Sequence, residues 1–219
     1  MQRARRAEDK EERRKGILGA ARELWARDGS YVAFNMGEVA EKAGLAKGTV
    51  YIYFATKEAL LLELLMEELG EWLGVVDGRL DQGGTWTPRR VALLLAETLG
   101  QRRRLTQLLS LMSSILEHNV PGEVVLGFKR FLRDGVLATG ARLERRLPLL
   151  REGDGARVLV VCHALVTGME PLSRPPAAVA KVLESPDMAM FRVDFERELS
   201  GALWALLAGM NELSEGKRG

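Results

Sequence analysis

The chain has 219 residues, 47% of them hydrophobic, with 32 Lys and Arg against 30 Asp and Glu and a formal net charge of +2. That apolar fraction supports one large packed domain or two small ones, and so balanced a charge carries no nucleic-acid signal by itself. A lone cysteine, Cys162, excludes an intrachain disulfide and fits a reducing, cytoplasmic setting. No uninterrupted apolar run reaches the roughly 18 residues of a membrane span, and no signal-type segment follows the charged N-terminus, so a soluble, unexported protein with no membrane partner is expected.

Residues 1–15 interleave Arg3, Arg5, Arg6, Lys10, Arg13, Arg14 and Lys15 with Glu8, Asp9, Glu11 and Glu12. They read either as a basic arm along a DNA backbone or as a solvated tail and first helical turn. A first helix is expected from about Asp9 to Asp28, with Ile17, Leu18, Ala21, Leu24 and Trp25 on one face and Gly29 ending it. Asn35 then stands where an N-cap belongs, with Glu38 three residues on, the spacing of a capping box. Val39, Ala40 and Ala43 share a face. Gly44 supplies a turn residue tolerant of positive φ, and a second short helix runs from about Lys47 to Tyr53, with Val50 and Phe54 inward. Two short helices across a glycine turn match the helix-turn-helix unit, whose second helix enters the DNA major groove.

The candidate DNA contacts are Asn35, Gly37, Ala46, Lys47, Gly48, Thr49, Tyr51, Tyr53 and Lys57. Asn35 and Gly37 open the first motif helix, where backbone N–H groups favour an anion. Lys47 and Lys57 bracket the second helix and can neutralise phosphates. Thr49, Tyr51 and Tyr53 can hydrogen-bond phosphate oxygens, while Gly48 leaves room for close approach. Ala46, Lys47 and Ile52 could face bases, and of these only Lys47 could pair doubly with guanine. The competing interpretation makes both tyrosines core aromatics and both lysines ordinary surface residues.

The wording of this stretch is more specific than its helix pattern. Ala43-Gly44-Leu45-Ala46-Lys47-Gly48-Thr49-Val50-Tyr51-Ile52-Tyr53-Phe54-Ala55-Thr56-Lys57-Glu58 resembles the pattern of the TetR family of bacterial transcriptional repressors, and the resemblance extends from about Lys15 to Leu65. Ala46 departs from it, standing where the family usually has Ser or another capping residue. The resemblance implies a DNA-binding head over residues 1–56 and a helical ligand-binding and dimerisation domain over 57–219, joined by a long fourth helix. It also implies a homodimer formed by the last two long helices, each head reading one half of a pseudo-palindromic double-stranded operator.

Beyond the motif, Thr56 reads as the N-cap of a helix from Lys57 to about Leu80, with Leu60, Leu61, Leu64, Leu65, Leu69, Trp72 and Leu73 inward. Thr87-Pro88 opens another, whose core is Val91 to Leu99. Helices follow at about 102–118, 123–147, 156–170, where Pro171, Pro175 and Pro176 stop the chain, 177–184 and 194–213, and a frayed tail covers 216–219. No convincing strand appears, so the fold class is all-α. Met112, Ile115, Leu116, Phe128 and Phe131, with His118 and Asn119 nearby, could line an apolar ligand cavity, although such side chains at helical spacing are usually plain core. The effector expected there is a hydrophobic small molecule, and Arg102, Arg103 and Arg104 could hold the phosphates of an acyl-CoA. The 156–170 helix is apolar nearly all round. The last helix pairs a stripe of Phe195, Leu199, Leu203, Leu206 and Met210 with a strip of small residues. Leu165, Gly168, Met169, Gly201, Ala205, Ala208 and Gly209 are therefore the candidate dimer contacts.

His118 and His163 lack metal-ligand spacing, and no phosphate loop or nucleophile constellation is visible, so no cofactor, metal or enzymatic activity is expected. The function expected is that of a ligand-responsive transcriptional repressor; the alternative is an effector-independent DNA-binding or nucleoid-associated protein.

Overall fold

The computed structural model describes the backbone of residues 2–215 and the side chains of residues 8–210. The Arg3, Arg5 and Arg6 side chains of the expected arm and the 216–219 tail lie outside the described residues. Every regular element among those described is helical: α1 (Gln2–Asp28), α2 (Met36–Lys42), α3 (Lys47–Tyr53), α4 (Lys57–Asp81), α5 (Pro88–Gly100), α6 (Arg103–Leu111), a π-helical turn (Met112–Leu116), α7 (Gly122–Arg146), α8 (Asp154–Ser173), α9 (Ala177–Leu183), a 3-10 turn (Pro186–Phe191) and α10 (Phe195–Glu215). They form two compact units, one of Met1–Glu68 with Leu111–Lys129, the other of Leu69–Ser110 with Arg130–Gly219.

In the first unit α1 starts well before the expected Asp9, because residues 2–15 are nearly all good helix formers. Its buried face is Ile17, Leu18, Ala21, Leu24 and Trp25, joined by Val39, Val50, Leu60, Leu61, Leu64 and Leu65. Phe34 meets Trp25 edge to face at 5.9 Å. Gly29 ends α1 at φ 57°, its N–H bonded to the Trp25 carbonyl at 2.7 Å. The helix expected over 102–118 is interrupted instead. It is α-helical to Leu111, then widens so that the Glu117 N–H reaches the Met112 carbonyl, five residues back, at 3.1 Å. Ser113 and Ser114, both weak helix formers, sit at the centre of this turn and are exposed.

In the second unit α10 packs against α5 and α8. Its buried row is Phe195, Leu199, Leu203 and Leu207. Leu206 and Met210, expected inward, are half-buried, because the contact follows a row of constant four-residue spacing, the ridge that helix packing uses most. The segments of α4 and α7 in this unit are laced by polar contacts. Thr139 donates to Asp77 at 2.7 Å, and Arg142 lies 3.3 Å from Asp77 and 3.5 Å from Asp81. Arg146 donates to the Leu80 carbonyl.

The start of α8 lies against α7 backbone to backbone. A Cβ on Gly155 would sit 2.1 Å from the Gly140 carbonyl oxygen, and one on Gly140 would sit 2.5 Å from the Ala156 nitrogen. Glu144 accepts the Gly155 N–H at 2.9 Å, satisfying one of the orphan donors of the first turn. At its other end α8 runs through Pro171 to Ser173 rather than stopping at the proline. The proline forfeits the bond from position 171 to the Thr167 carbonyl, and beyond it the Ser173 hydroxyl bonds the Glu170 carbonyl at 2.8 Å. By length and mean hydropathy α8 is the one helix among the described residues that could cross a bilayer, which an uninterrupted apolar count misses because Arg157, His163 and Glu170 break the run. In this fold it lies against α10 and buries Val158, Leu159, Cys162 and Val166.

The glycine crossing and the open helical glycines should respond oppositely to a methyl group. Gly155→Ala should destabilise the protein by about 1–3 kcal/mol or more through backbone overpacking. Gly74→Ala, where a Cβ meets nothing within 4 Å, should stabilise it by about 0.5–1 kcal/mol. Thermal unfolding of the two variants checks both signs.

Candidate nucleic-acid interface

Local chemistry sets the frame of the α2–α3 unit. Asn35 caps α2, its side-chain oxygen accepting the Gly37 N–H at 2.7 Å. That amide is thereby taken up within the protein. The other half of the expected capping box does not form, because Glu38 turns to Arg27 at the end of α1, 2.8 Å away, where a full positive charge outcompetes a backbone N–H. After Lys42, Gly44 at φ 66° and the bond from the Leu45 N–H to the Ala40 carbonyl at 2.9 Å close a Schellman turn. The α3 helix then begins at Ala46 with no side-chain cap.

Burial divides α3 sharply. Val50 is fully buried and Phe54 nearly so, whereas Ile52 is 80% and Tyr51 43% exposed. Lys47 and Gly48 are exposed, and Thr49 and Tyr53 are half-buried. The head behind them is closed by ion pairs: Arg22 to Glu67 at 3.0 Å, Lys42 to Glu23 at 2.6 Å, and Arg14 to Glu63, with the Arg14 guanidinium 4.9 Å from the Phe54 ring. One face of α3 is thus pinned and the other faces outward.

The start of α4 carries a polar cluster. Thr56 caps it, accepting the Ala59 N–H at 3.1 Å, and its hydroxyl donates to the Asn119 carbonyl at 2.9 Å. Glu58, only 5% exposed, accepts from the Tyr31 hydroxyl, and Asn119 Nδ2 lies 3.4 Å from its second oxygen. Lys57 donates to the Tyr31 carbonyl at 3.1 Å and sits 3.8 Å from the centre of the Tyr31 ring. Any phosphate contact by Lys57 shares the side chain with this clasp. Burial first, then the hydrogen bond and negative charge of Glu58, push the Tyr31 hydroxyl up to about 12. Sequence reasoning missed Tyr31 and Glu58. No local spacing announces a partner so far back in the chain.

The other candidate residues fall as follows. Met112, Leu116 and Phe128 are buried and Ile115 half-buried, while His118 and Asn119 are exposed, all in the first unit. Asn119 is engaged with Thr56 and Glu58. Phe131, half-buried in the second unit, lies in ordinary contact range of Gly70. Arg102 lies 3.6 Å from Glu71. On α8 Gly168 is exposed and Leu165 and Met169 half-buried. On α10 Gly201 and Ala205 are exposed and Ala208 and Gly209 half-buried. Trp204, 52% exposed among these small residues, was not singled out in the sequence, although a tryptophan between Gly201 and Ala205 was the available signal. Burial pushes the Cys162 thiol up to about 12, so it stays protonated and is no nucleophile.

An all-helical chain whose helix-turn-helix presents one bare face belongs among helical DNA-binding regulators, and the comparisons with known proteins narrow that class. Residues 17–64 match the bacterial regulatory proteins of the tetR family, and residues 66–212 match the tetracyclin repressor-like C-terminal domain. The chain belongs to the TetR family of bacterial regulatory proteins. It is 28% identical over 130 residues to the fatty acid metabolism regulator protein of Bacillus subtilis (strain 168), a stretch covering 57% of this chain and 66% of that protein, just under two thirds of its length. Two solved structures share the fold. A transcriptional regulator from Rhodococcus sp. Rha1 is 16% identical, with coverage of 91% of this chain and 96% of that one and a TM-score of 0.55. FadR from Bacillus subtilis in complex with stearoyl-CoA is 20% identical, with coverage of 88% and 96% and a TM-score of 0.51.

The Tyr31–Glu58 contact has a titration signature. A raised phenol pKa means that its contribution to stability is intact below pH 10 and is lost as pH rises from there through about 12. In an absorbance titration one tyrosine should ionise near pH 12, and Tyr31→Phe should abolish that late phase. A late phase that survives in Tyr31→Phe would contradict the assignment.

Proposed function

We propose that the chain is a cytoplasmic, dimeric repressor that occupies a pseudo-palindromic operator and is released from it by a largely hydrophobic small molecule. The observation that carries the DNA assignment is the outward face of α3, where Lys47, Gly48, Tyr51 and Ile52 are exposed while Val50 and Phe54 are buried. An apolar side chain as bare as Ile52, on a helix that opens with an exposed cation, suits a groove surface offering thymine methyls and phosphates. Gly48 adds support. A Cβ there would meet no protein atom within 4 Å, so packing inside the chain does not require glycine. A close surface outside the chain would.

Dimerisation is supported by two unpaired apolar stripes on helices that pack against each other. Val160, Ala164, Gly168 and Leu172 are exposed along α8, and Gly201, Trp204 and Ala205 along α10. Cβ atoms on Gly168, Gly201 and Gly209 would all enter open space, so these glycines also lack an internal packing reason. A second copy of the same helix pair, with backbones in close approach, would supply one. The effector class is supported by the buried Met112, Leu116 and Phe128 and by the kinship with regulators named for fatty-acid metabolism. Occupancy of such a site would favour a state whose two heads no longer fit the half-sites, and by linkage the ligand must bind that state better.

Four measurements test this assignment. Gly48→Ala should weaken binding to a DNA fragment selected by the wild-type protein while stabilising the free protein by about 0.5–1 kcal/mol. Equal affinity would remove α3 from the interface. Lys47→Ala should lower the log–log salt slope of binding by about 0.9. Stearoyl-CoA, the first probe, should release the DNA and change tryptophan emission. Release by small polar metabolites alone would overturn the apolar-effector assignment, and release by none would favour the effector-independent alternative. Sedimentation should give a dimer at micromolar concentration, weakened in Gly168→Leu by overpacking.

A further inference from the structure

The chain passes from the second compact unit to the first between Ser110 and Leu111, and the π-helical turn follows at once. Three residues after that turn comes Asn119, which holds the start of α4 twice. Its carbonyl accepts the Thr56 hydroxyl at 2.9 Å, and its side-chain nitrogen lies 3.4 Å from Glu58. Glu58 holds Tyr31, and Tyr31 is clasped by Lys57. Only Phe54 and Ala55 separate Thr56 from the end of α3. Tyr51, Thr56, Lys57, Glu58 and Asn119 line one open cleft of about 450 Å³.

A π turn is an α-helix carrying one extra residue. Expelling or absorbing that residue turns everything after it by about 100° and shifts it by about 1.5 Å. Ser113 and Ser114, at the centre of the turn, are exposed, while Met112 and Leu116 at its ends are buried, so such a slip leaves the serines in solvent and repacks Leu116. Asn119 cannot keep both of its partners through it. Glu58 would then be left nearly buried with one oxygen unanswered, which a buried carboxyl tolerates poorly.

We infer that Asn119 is a positioning residue that fixes the DNA-binding head, and that a slip between π and α geometry at 112–116 engages or releases it. The inference rests on the assignment of α3 as the DNA-reading helix and on no particular effector. Engaged, the head meets DNA already oriented. Released, it must be ordered on binding, and affinity falls.

The test exchanges donor and acceptor. Asn119→Asp keeps the carbonyl that holds Thr56 but sets a second carboxyl against Glu58. Glu58→Gln combined with Asn119→Asp restores the contact in reverse, because the new amide can donate to the new carboxylate while still accepting from Tyr31. Two readouts are followed: affinity for a wild-type-selected DNA fragment, and amide hydrogen exchange at 57–60 in the free protein. Asn119→Asp should weaken DNA binding about tenfold and speed exchange, and the double variant should recover to within about threefold of wild type in both. Deletion of Ser114, which removes the extra residue, should weaken binding similarly and gain nothing from Glu58→Gln. Unchanged exchange in Asn119→Asp, or a double variant no better than the single one, would overturn the inference. Failure of the wild type to select any DNA sequence would instead sink the DNA assignment of α3, and the exchange data would still decide whether Asn119 holds the head.

Discussion

A carboxyl group that is 5% exposed must have its hydrogen bonds met, and Glu58 is such a group at the most consequential point of the first unit. It stands in the first turn of α4, where the positive end of the helix favours it. Its two oxygens face Tyr31, from the connection after α1, and Asn119, from the connection before α7. Three segments distant in sequence are thus brought together by one side chain. Because α3 ends just before Thr56, whatever fixes the start of α4 also fixes α3.

The rest of the head follows from that constraint. With Val50 and Phe54 buried and Thr56 and Glu58 held, α3 has no freedom to roll, so the residues opposite Val50 must look outward. Arg14, Arg22 and Lys42 neutralise carboxylates within the unit, which leaves Lys47 as a cation exposed on the bare face. The second unit obeys a different rule. There α7 meets α8 where Gly140 and Gly155 have no side chains, and α10 buries one row of residues while leaving Trp204 and its small neighbours uncovered.

What could be read in the sequence was what depends on near neighbours. Asn35 and Gly44 mark α2 and its turn because capping and positive φ are local properties, and Thr87-Pro88 marks α5 for the same reason. The inward positions of α1, α3 and α4 follow from helical periodicity. What escaped depends on partners far along the chain. Glu38 had a legible role as the second half of a capping box, and Arg27 took it. Gly140 carries no local signal, and only the close approach of Gly155 accounts for it. The π turn had no signal beyond two serines. The buried row of α10 shifted from Leu206 to Leu207 because α5 and α8, rather than the helix's own pattern, decide which row is covered.

If the outward face of α3 is the surface applied to DNA, a reactive group placed there must be covered when DNA binds. Cys162, the lone cysteine, is 2% exposed and its thiol is protonated at neutral pH, so a cysteine introduced on the surface would be the reactive one. Ile52→Cys places a thiol on that face, and Val182→Cys, at a position 60% exposed on α9, provides a control. Alkylation of Ile52→Cys should be fast in the free protein and strongly slowed by a saturating DNA fragment selected by the wild-type protein, with Val182→Cys unaffected. Equal rates for Ile52→Cys with and without bound DNA would contradict the account.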